Sequence, residues 1–472
     1  MAASESMTDW YLKHEIHGDK PWAVQAEAMR RADGHSKFGY WLEQGLGKTS
    51  LTLNDFVSQD ETDINIVIAP NSFKMDWALA PQEWGVPWLK SGIWPKDPVP
   101  ARETYCQYVV NYEAVRQGAF KPLIELMEKR NCMLTIDEST QIKNPGSSTF
   151  KAVLELSKRA KVVRELNGTP LTQNVTDYYG QLRVLGKFQG MKPVVFRNRY
   201  AEMGGYFNKE VTGTRNEEEL ARIIDSCTFR ALKKDWRKDL PPQILKPVHL
   251  EMSNRQRAHY RSMMDEFFTI VGSEEITAEL VLTQMDKLRQ ISSCVLMDKG
   301  SHHFIEDDAK NPKLQATLDI IGSSPGKVIV SHFYKPSGAL LLRAFEKAKL
   351  NPAFIRGGMK PEQIIEQKSK FNTDPSCRVL VGQQEATGRG HTLLGGKGID
   401  RCSTMVFYEN SFSWYWRSQM QDRNHRGEQD TECNIYDLIT SPMDQITVDI
   451  LTRKKDLASM MDDIIGAVKR SI

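Results

Sequence analysis

Trp41-Leu42-Glu43-Gln44-Gly45-Leu46-Gly47-Lys48-Thr49 is the stretch that decides the reading of this 472-residue chain. An aromatic and apolar run, Phe38 to Leu42, leads into it, and a helix-compatible run, Ser50 to Phe56, leads out. Gly45 and Gly47 let the backbone curl so that successive N–H groups face one anion. The helix start behind them adds its positive end. Lys48 supplies a mobile ammonium for outer phosphates, and the Thr49 hydroxyl suits a magnesium ion. This is the second half of a phosphate-binding P-loop, because the first glycine of the full pattern falls on Leu42. Taken alone, the stretch also fits a glycine-rich turn before an ordinary helix.

Outward from that turn, strands and helices alternate. Ile64 to Pro70 reads as a short buried strand, followed by a helix through Trp77 that closes near Trp84. Tyr108 to Tyr112 is a second strand and Phe120 to Lys129 a helix. Cys132 to Ile136 is a strand that runs directly into Asp137-Glu138. Apolar strands separated by helices imply a parallel sheet covered on both faces. Ligands of such sheets bind beyond the carboxyl ends of the strands. Asp137 is therefore expected beside the P-loop phosphates as a holder of Mg2+, with Glu138 polarising an attacking water. An acidic helix cap is the plain alternative; the strand before the pair and the P-loop upstream favour hydrolysis of a magnesium-bound nucleotide. Upstream, a helix from Pro21 to Ala32 carries Gln25. Its amide offers a donor and an acceptor to an adenine edge, although a lone glutamine is also an ordinary surface residue.

A helix from Ser147 to Arg159 and a strand from Val162 to Leu166 follow, then the turn Asn167-Gly168-Thr169-Pro170. The pattern from 171 to 230 is mainly helical. The prolyl pair in Leu240-Pro241-Pro242 marks a boundary between Arg237 and Pro247. Beyond it, Ser253 to Met297 reads as helical and Gly300 to Pro312 as a polar loop. Strand–helix alternation then resumes, with strands at Lys327–Val330, Ala353–Ile355, Arg378–Val381 and Thr404–Tyr408. The expected division is a first domain over 1–240 and a second over 241–472, the latter with a helical insertion at about 253–297 and no P-loop of its own. In Gln419 to Gln429, Arg423 and Arg426 are three residues apart and so share one face of a helix. Two guanidinium forks suit a γ-phosphate; a solvated basic helix is the plain alternative.

Composition narrows the class. The chain is 40% hydrophobic and 26% charged, with a net charge of +3, so a polyanion site must be a local patch. The seven Cys are scattered without a CxxC pair, which points to a reducing compartment and no structural zinc. Met1 to Trp10 is polar and acidic, unlike a signal peptide, and no apolar run reaches bilayer length. A soluble, intracellular protein is expected.

In order and wording these segments resemble the Swi/Snf-type branch of the superfamily-two helicase-like ATPases. Gly45 to Thr49 is similar to motif I, Ile68-Ala69-Pro70 with Trp77 and Trp84 to motif Ia, and Asn111-Tyr112-Glu113 to motif Ib. Asp137-Glu138-Ser139-Thr140 with Ile142-Lys143-Asn144 resembles motif II, and Gly168-Thr169-Pro170-Leu171 with Asn174 motif III. Phe229 to Pro241 and Leu288-Arg289-Gln290 resemble two further family segments. Thr387-Gly388-Arg389-Gly390 stands where motif V belongs, and Gln419 to Gln429 is similar to motif VI. Ser139-Thr140, Arg389, His391 and Thr392 depart from the usual pattern.

The resemblance implies an α/β fold of two RecA-like lobes, each a parallel sheet with helices on both faces, using ATP and Mg2+. Catalytic roles fall to Lys48, Asp137, Glu138, Arg423 and Arg426, and metal contacts to Thr49 and Asp137. Nucleotide contacts fall to Gln25, Gly45, Leu46, Gly47, Lys48, Thr49, Ser50 and Gln419. DNA, duplex or branched, is the implied partner, held without base readout by Ser72, Lys74, His332, Arg356, Gly357, Thr387 and Arg389. The aromatic cluster Phe412 to Trp416 suits base stacking or packing of the second lobe. The implied output is movement along DNA: fork remodelling, branch migration or unwinding. An RNA-directed helicase and a non-hydrolysing ATP-gated clamp are the alternatives. The compact length resembles a bacterial or viral member, in the cytoplasm of a bacterial or phage-infected cell. No membrane partner is expected, and no protein partner is implied.

Overall fold

A computed structural model describes residues 22–94, 96–97, 106–168, 170–171, 174–204, 210–271, 278–298, 301–388, 392–427 and 429–453. The chain divides into two compact units, Met1–Lys238 and Asp239–Ile472.

The first unit runs α1 (Ala23–Ala32), β1 (Lys37–Leu42), α2 (Lys48–Val57), β2 (Ile64–Ala69), α3 (Lys74–Glu83), β3 (Lys90–Ile93), β4 (Cys106–Asn111), α4 (Tyr112–Gln117) and α5 (Phe120–Lys129). It continues through β5 (Cys132–Asp137), α6 (Ser148–Ser157), β6 (Val162–Leu166), α7 (Tyr178–Val184), α8 (Pro193–Tyr200), β7 (Ala201–Gly204), β8 (Glu210–Thr214), α9 (Glu217–Asp225), β9 (Thr228–Ala231) and α10 (Lys233–Trp236). Seven strands form one parallel sheet in the order β3-β4-β2-β5-β6-β1-β9. β2 shows why this sequence makes such a sheet: all six of its residues are buried. Ile64, Ile66 and Ile68 join one core with Leu123, Leu134 and Val153, while Val67 and Ala69 join another with Tyr40, Leu51 and Trp77. A strand with apolar side chains on both faces must be covered on both. α2 is pinned to the sheet by a buried ion pair between its Asp55 and Arg164 of β6. Tyr40 of β1 donates to the same carboxylate at 2.7 Å. Charges this deep persist only when paired and hydrogen-bonded.

The second unit runs β10 (Gln243–His249), α11 (Asn254–Val271), α12 (Ala278–Ser292), β11 (Val295–Asp298), β12 (Ser301–Phe304), α13 (Pro312–Ser323), β13 (Val328–His332), α14 (Lys335–Lys347), β14 (Ala353–Ile355) and α15 (Pro361–Thr373). β15 (Val379–Gln383), α16 (Gln384–Thr387), β16 (Thr404–Phe407), α17 (Trp414–Gln421), β17 (Cys433–Ile439) and α18 (Pro442–Arg453) complete it. Its six-stranded sheet, β10-β17-β16-β13-β15-β14, is also parallel throughout. Val328 and Val330 enter one core and Ile329 the other. The helical insertion α11–α12 packs on α18 through Phe267, Met285, Leu288, Met443 and Ile450. Each unit is thus a parallel sheet between helical layers, the architecture of a RecA-like lobe.

The structure corrects the sequence reading at several elements. In the stretch 171–230 the helices α7, α8 and α9 outweigh strand, but three strands escape the reading: β7 and β8 pair antiparallel, and β9 adds an edge strand beside β1. β3, at the opposite edge, escapes pattern reading because Lys-Ser-Gly-Ile is short, half-polar and glycine-containing. The polar stretch after 300 holds β12, which pairs with β11. A strand follows the prolyl pair at once: β10 contains Pro247 and occupies a sheet edge, where a residue without an N–H is tolerated. β17 follows the arginine-rich stretch. Pro21, the expected helix start, lies outside the described residues; α1 begins at Ala23. Among the described residues no helix is long and apolar enough to cross a membrane.

Candidate nucleotide site and nucleic-acid face

In the first unit the β1–α2 turn has the expected backbone. Gly45 and Gly47 take φ values of 85° and 74°, a left-handed region where a Cβ is costly. Gly47 caps α2, so Lys48 and Thr49 lie in the first helical turn, where unpaired N–H groups and the helix dipole favour an anion. Leu42 ends β1, fully buried, and its carbonyl accepts from Lys48 Nζ at 2.8 Å. The lysine is thus parked beside the turn. Gln25 reaches the loop from α1. Its Nε2 donates to Gly47 O at 3.1 Å and Ser50 Oγ at 2.8 Å, and its Oε1 accepts from Trp22 N at 3.0 Å. The amide therefore supports the phosphate turn and stands buried against it. A Cβ on Gly47 would lie 2.2 Å from that Nε2, so position 47 needs glycine for space as well as for φ.

Asp137 ends β5, and Glu138 follows in the left-handed region at φ 53°. Such backbone is strained for an L-residue and must be held in place. Tyr112 does so by donating to Asp137 O and Glu138 O. Asp137 Oδ2 accepts from Trp77 Nε1 at 2.8 Å, and its Oδ1 accepts from Glu138 N at 3.0 Å. Loss of solvent and the neighbouring Glu138 charge push the Asp137 carboxyl up to about 7, against the pull of the Trp77 bond and the Lys48 charge. Gln44, inside the phosphate turn, donates to Glu138 Oε1 at 3.5 Å, joining the two motifs. Two crowded carboxylates at the end of β5 are an all-oxygen pair that fits a hard divalent cation such as Mg2+.

The departure Ser139 has a structural use. Its Oγ donates to Gln181 Oε1 at 2.8 Å and accepts from Asn167 Nδ2 at 3.0 Å. Asn167 also donates to Gln181 Oε1 at 2.9 Å, and Gln181 Nε2 donates to Pro170 O at 2.8 Å. The residue after the acid pair is thereby tied to the turn at the end of β6. Gln44, Tyr112 and Asn167 belong to stretches quoted from sequence but carry no assigned role there, and Gln181 is not singled out at all. Gln44, Tyr112 and Asn167 lie in or beside motifs; Gln181 carries no local signal.

In the second unit, α17 ends at Gln421, so Arg423 and Arg426 do not share a helical face. They lie in the turn beyond it. Arg423, 0% exposed, donates through Nε to Gln419 O at 2.6 Å and through Nη2 to Gln419 Oε1 at 3.3 Å. Arg426 donates through Nε to Asp422 O at 2.9 Å and through Nη1 to Thr392 Oγ1 at 3.3 Å. Cations at a helix C-terminus satisfy its orphan carbonyls and its dipole. His425 fixes the same turn through a 2.7 Å contact with Pro241 O.

The residues offered as DNA contacts divide sharply. Ser72 Oγ is buried and has no hydrogen-bond partner among the described residues, so it is not a surface group as placed, and Lys74 begins α3. Burial lowers the Lys74 pKa against the opposing charge of Glu113. Arg356 and Gly357 are exposed beyond β14, and Gln383 Oε1 accepts from Gly357 N at 2.9 Å. His332 is not a surface group. It is 1% exposed, its Nδ1 contacts Tyr334 O at 3.0 Å, and its ring stacks on Phe354. Burial lowers its pKa to about 4, so it is neutral at physiological pH. Thr387 is also fully buried, its hydroxyl against Gly382. His332 is interior at the end of β13, and Thr387 ends α16, where its side chain turns onto Gly382 of β15. Arg389 lies outside the described residues.

Comparison with known proteins gives the chain relatives. The family model described as SNF2-related domain matches residues 42–295. The chain is 26% identical to nuclear protein STH1/NPS1 of Saccharomyces cerevisiae, over 90% of this chain and 33% of that protein. It is 23% identical to human DNA annealing helicase and endonuclease ZRANB3, over 87% of this chain and 37% of that protein. The chain thus spans about a third of the length of each. A solved SWI2/SNF2 ATPase core of Sulfolobus solfataricus in complex with dsDNA is 21% identical, with 95% of this chain and 94% of that chain covered and a TM-score of 0.42. With the family model covering more than half its length, the chain belongs to the SNF2-related family of helicase-like ATPases.

Proposed function

We propose that the chain is an ATP-driven motor that moves along DNA without reading its sequence. The observation that carries this reading is the joining of phosphate turn and acid pair in one sheet, with Gln44 between Gly45 and Glu138. The α2 N–H groups and Lys48 bind the phosphates, and Gln25 keeps the turn in shape. Mg2+ held by Thr49 and Asp137 would supply positive charge to the phosphate oxygens. Glu138 orients the attacking water and accepts its proton. Arg423 and Arg426 exchange their carbonyl partners for the γ-phosphate when the second lobe engages the nucleotide. Ser139, Asn167 and Gln181 pass the state of the acid pair to the turn after β6.

Lys74 and Arg356 are the proposed phosphate-backbone contacts, an ammonium and a guanidinium, neither suited to base identity here; the buried Ser72 hydroxyl and the Gly357 N–H, which donates to Gln383, would join them only after rearrangement. Branched DNA is proposed beside duplex DNA as a substrate, and a relative named as a DNA annealing helicase supports DNA as the track. Steady-state ATP hydrolysis with and without duplex DNA tests the reading. Duplex DNA is expected to raise turnover, and Lys48→Ala to abolish it with the fold intact. Equal turnover by Lys48→Ala, or stimulation by RNA alone, sinks it.

A further inference from the structure

Besides contacts of Asp286 with Tyr334 and of Ser292 with Thr440 and Ser441, the helical insertion sends one guanidinium to the ends of the second sheet. Arg289, in the last turn of α12, is 5% exposed. Its guanidinium carbon lies 4.3 Å from the ring centre of Phe412, 5.2 Å from Phe333 and 5.7 Å from Tyr334. Nη2 donates to the backbone oxygen of Asn410, and Nη1 contacts Asp286 at 3.3 Å. These rings follow β13 and β16, two neighbouring strands. Phe412, a candidate for base stacking on sequence, is thus engaged beneath a cation.

The segment that Arg289 grips is a junction. Asn410 Nδ2 donates to Asp437 Oδ1 at 2.9 Å, and its Oδ1 accepts from Arg417 Nη1 at 2.7 Å. Arg417 Nη2 donates to Asp437 Oδ2 at 2.7 Å, and its guanidinium carbon lies 4.2 Å from the Phe407 ring centre. Arg417 sits in the middle of α17, the helix whose end delivers Gln419, Arg423 and Arg426. On one side of Asn410, Glu409 accepts from Phe333 N at 2.9 Å, Tyr334 N at 2.8 Å and the Ser337 hydroxyl. On the other, Ser411 N donates to Gln384 Oε1 at 3.1 Å, and Gln384 Nε2 returns to Glu409 O at 3.2 Å. Gln384 opens α16, which ends at Thr387. Three consecutive residues therefore fix α14, α16 and α17 together.

We propose that Arg289 is a positioning residue for the arginine turn. By clamping Asn410 and Phe412 it sets the register of α17, and through α17 the placement of Arg423 and Arg426. A planar fork is required: it stacks on several rings and still donates along its edge, whereas an ammonium is a point charge. The inference rests on the reading of Arg423 and Arg426 as nucleotide-facing.

Arg289→Lys in the full chain tests it by two independent readouts. Hydrogen exchange over 414–427 is expected to quicken by about tenfold, with β13 and β15 unchanged. DNA-stimulated kcat is expected to fall about tenfold while KM for ATP, set by the P-loop, stays within about twofold. Asn410→Ala should behave alike, and the double variant should lose no more than the worse single, as expected for one connected unit. Wild-type exchange over 414–427 overturns the proposal. So does a uniform rise across Asp239–Ile472, which marks a merely structural role, or a raised KM at unchanged kcat. Should the unsubstituted protein hydrolyse no ATP, the nucleotide reading fails, while the exchange readout still decides whether Arg289 positions the turn.

Discussion

Replacing Glu165 by Gln should flatten a pH dependence of stability that comes from one buried carboxyl. Glu165 lies mid-strand in β6, opposite Ile136 of β5 and Gly39 of β1. It is 0% exposed, and neither carboxylate oxygen has a hydrogen-bond partner among the described residues. Trp41 Nε1, on the same side of β1 as Gly39, is unpartnered too. Burial holds the carboxyl well above its ordinary pKa, because an unpaired charge there has no solvent. The folded state therefore keeps a proton that the unfolded chain releases. This contribution to stability is complete below the unfolded-state pKa and is lost as pH rises towards the folded one. The loss is limited to one proton's linkage, at most about 3 kcal/mol between pH 5 and 7. Gln has the same shape and no charge to release. In urea titrations followed by tryptophan fluorescence, Glu165→Gln should match the unsubstituted protein near pH 4.5 and exceed it increasingly above. A pH-independent difference, or a less stable variant at pH 7, would refute the reasoning.

Three further substitutions probe the frame of the site. Arg164→Ala leaves Asp55 as a buried carboxylate held by Tyr40 and Gln59 alone and should cost about 3–5 kcal/mol in urea unfolding; an unchanged midpoint contradicts this. Gly180→Ala places a Cβ 2.0 Å from the Ile142 carbonyl oxygen, against backbone just after the acid pair. A loss of about 1–3 kcal/mol or more is expected in thermal melts, and a wild-type melt would show that α7 yields freely. Ser139→Ala and Gln181→Leu cut the link between the acid pair and the β6 turn. Each should lower DNA-stimulated turnover by about tenfold at most with basal turnover kept, and the pair should not be additive; independent, additive losses rule out a shared network.

The parts legible from sequence were those with local signatures. Buried strands such as Ile64–Ala69 are continuous apolar runs, and Gly45-Leu46-Gly47-Lys48-Thr49 announces its own backbone. Edge elements were not legible. β3 and β10 are short or half-exposed and lack an alternating or apolar run, and Pro247 argues against a strand until its edge position is known. Within the site, Gln25 was found by position, but its partners were not, because an amide serves a backbone turn as well as an adenine ring. His332 and Thr387 look like surface polar residues in sequence; burial is decided by helices packed across the sheet, which no local pattern encodes. The arginine spacing fits a helix, yet the helix stops at Gln421 and the side chains turn back to cap it.

Displacement of a triplex-forming strand from duplex DNA tests the central claim most directly, since it reads movement rather than hydrolysis. With ATP and Mg2+ the protein should release the third strand regardless of duplex sequence, and Lys48→Ala, Glu138→Gln or omission of ATP should leave it bound. Hydrolysis of ATP stimulated by duplex DNA with the third strand retained would contradict the account and leave an ATPase that does not travel.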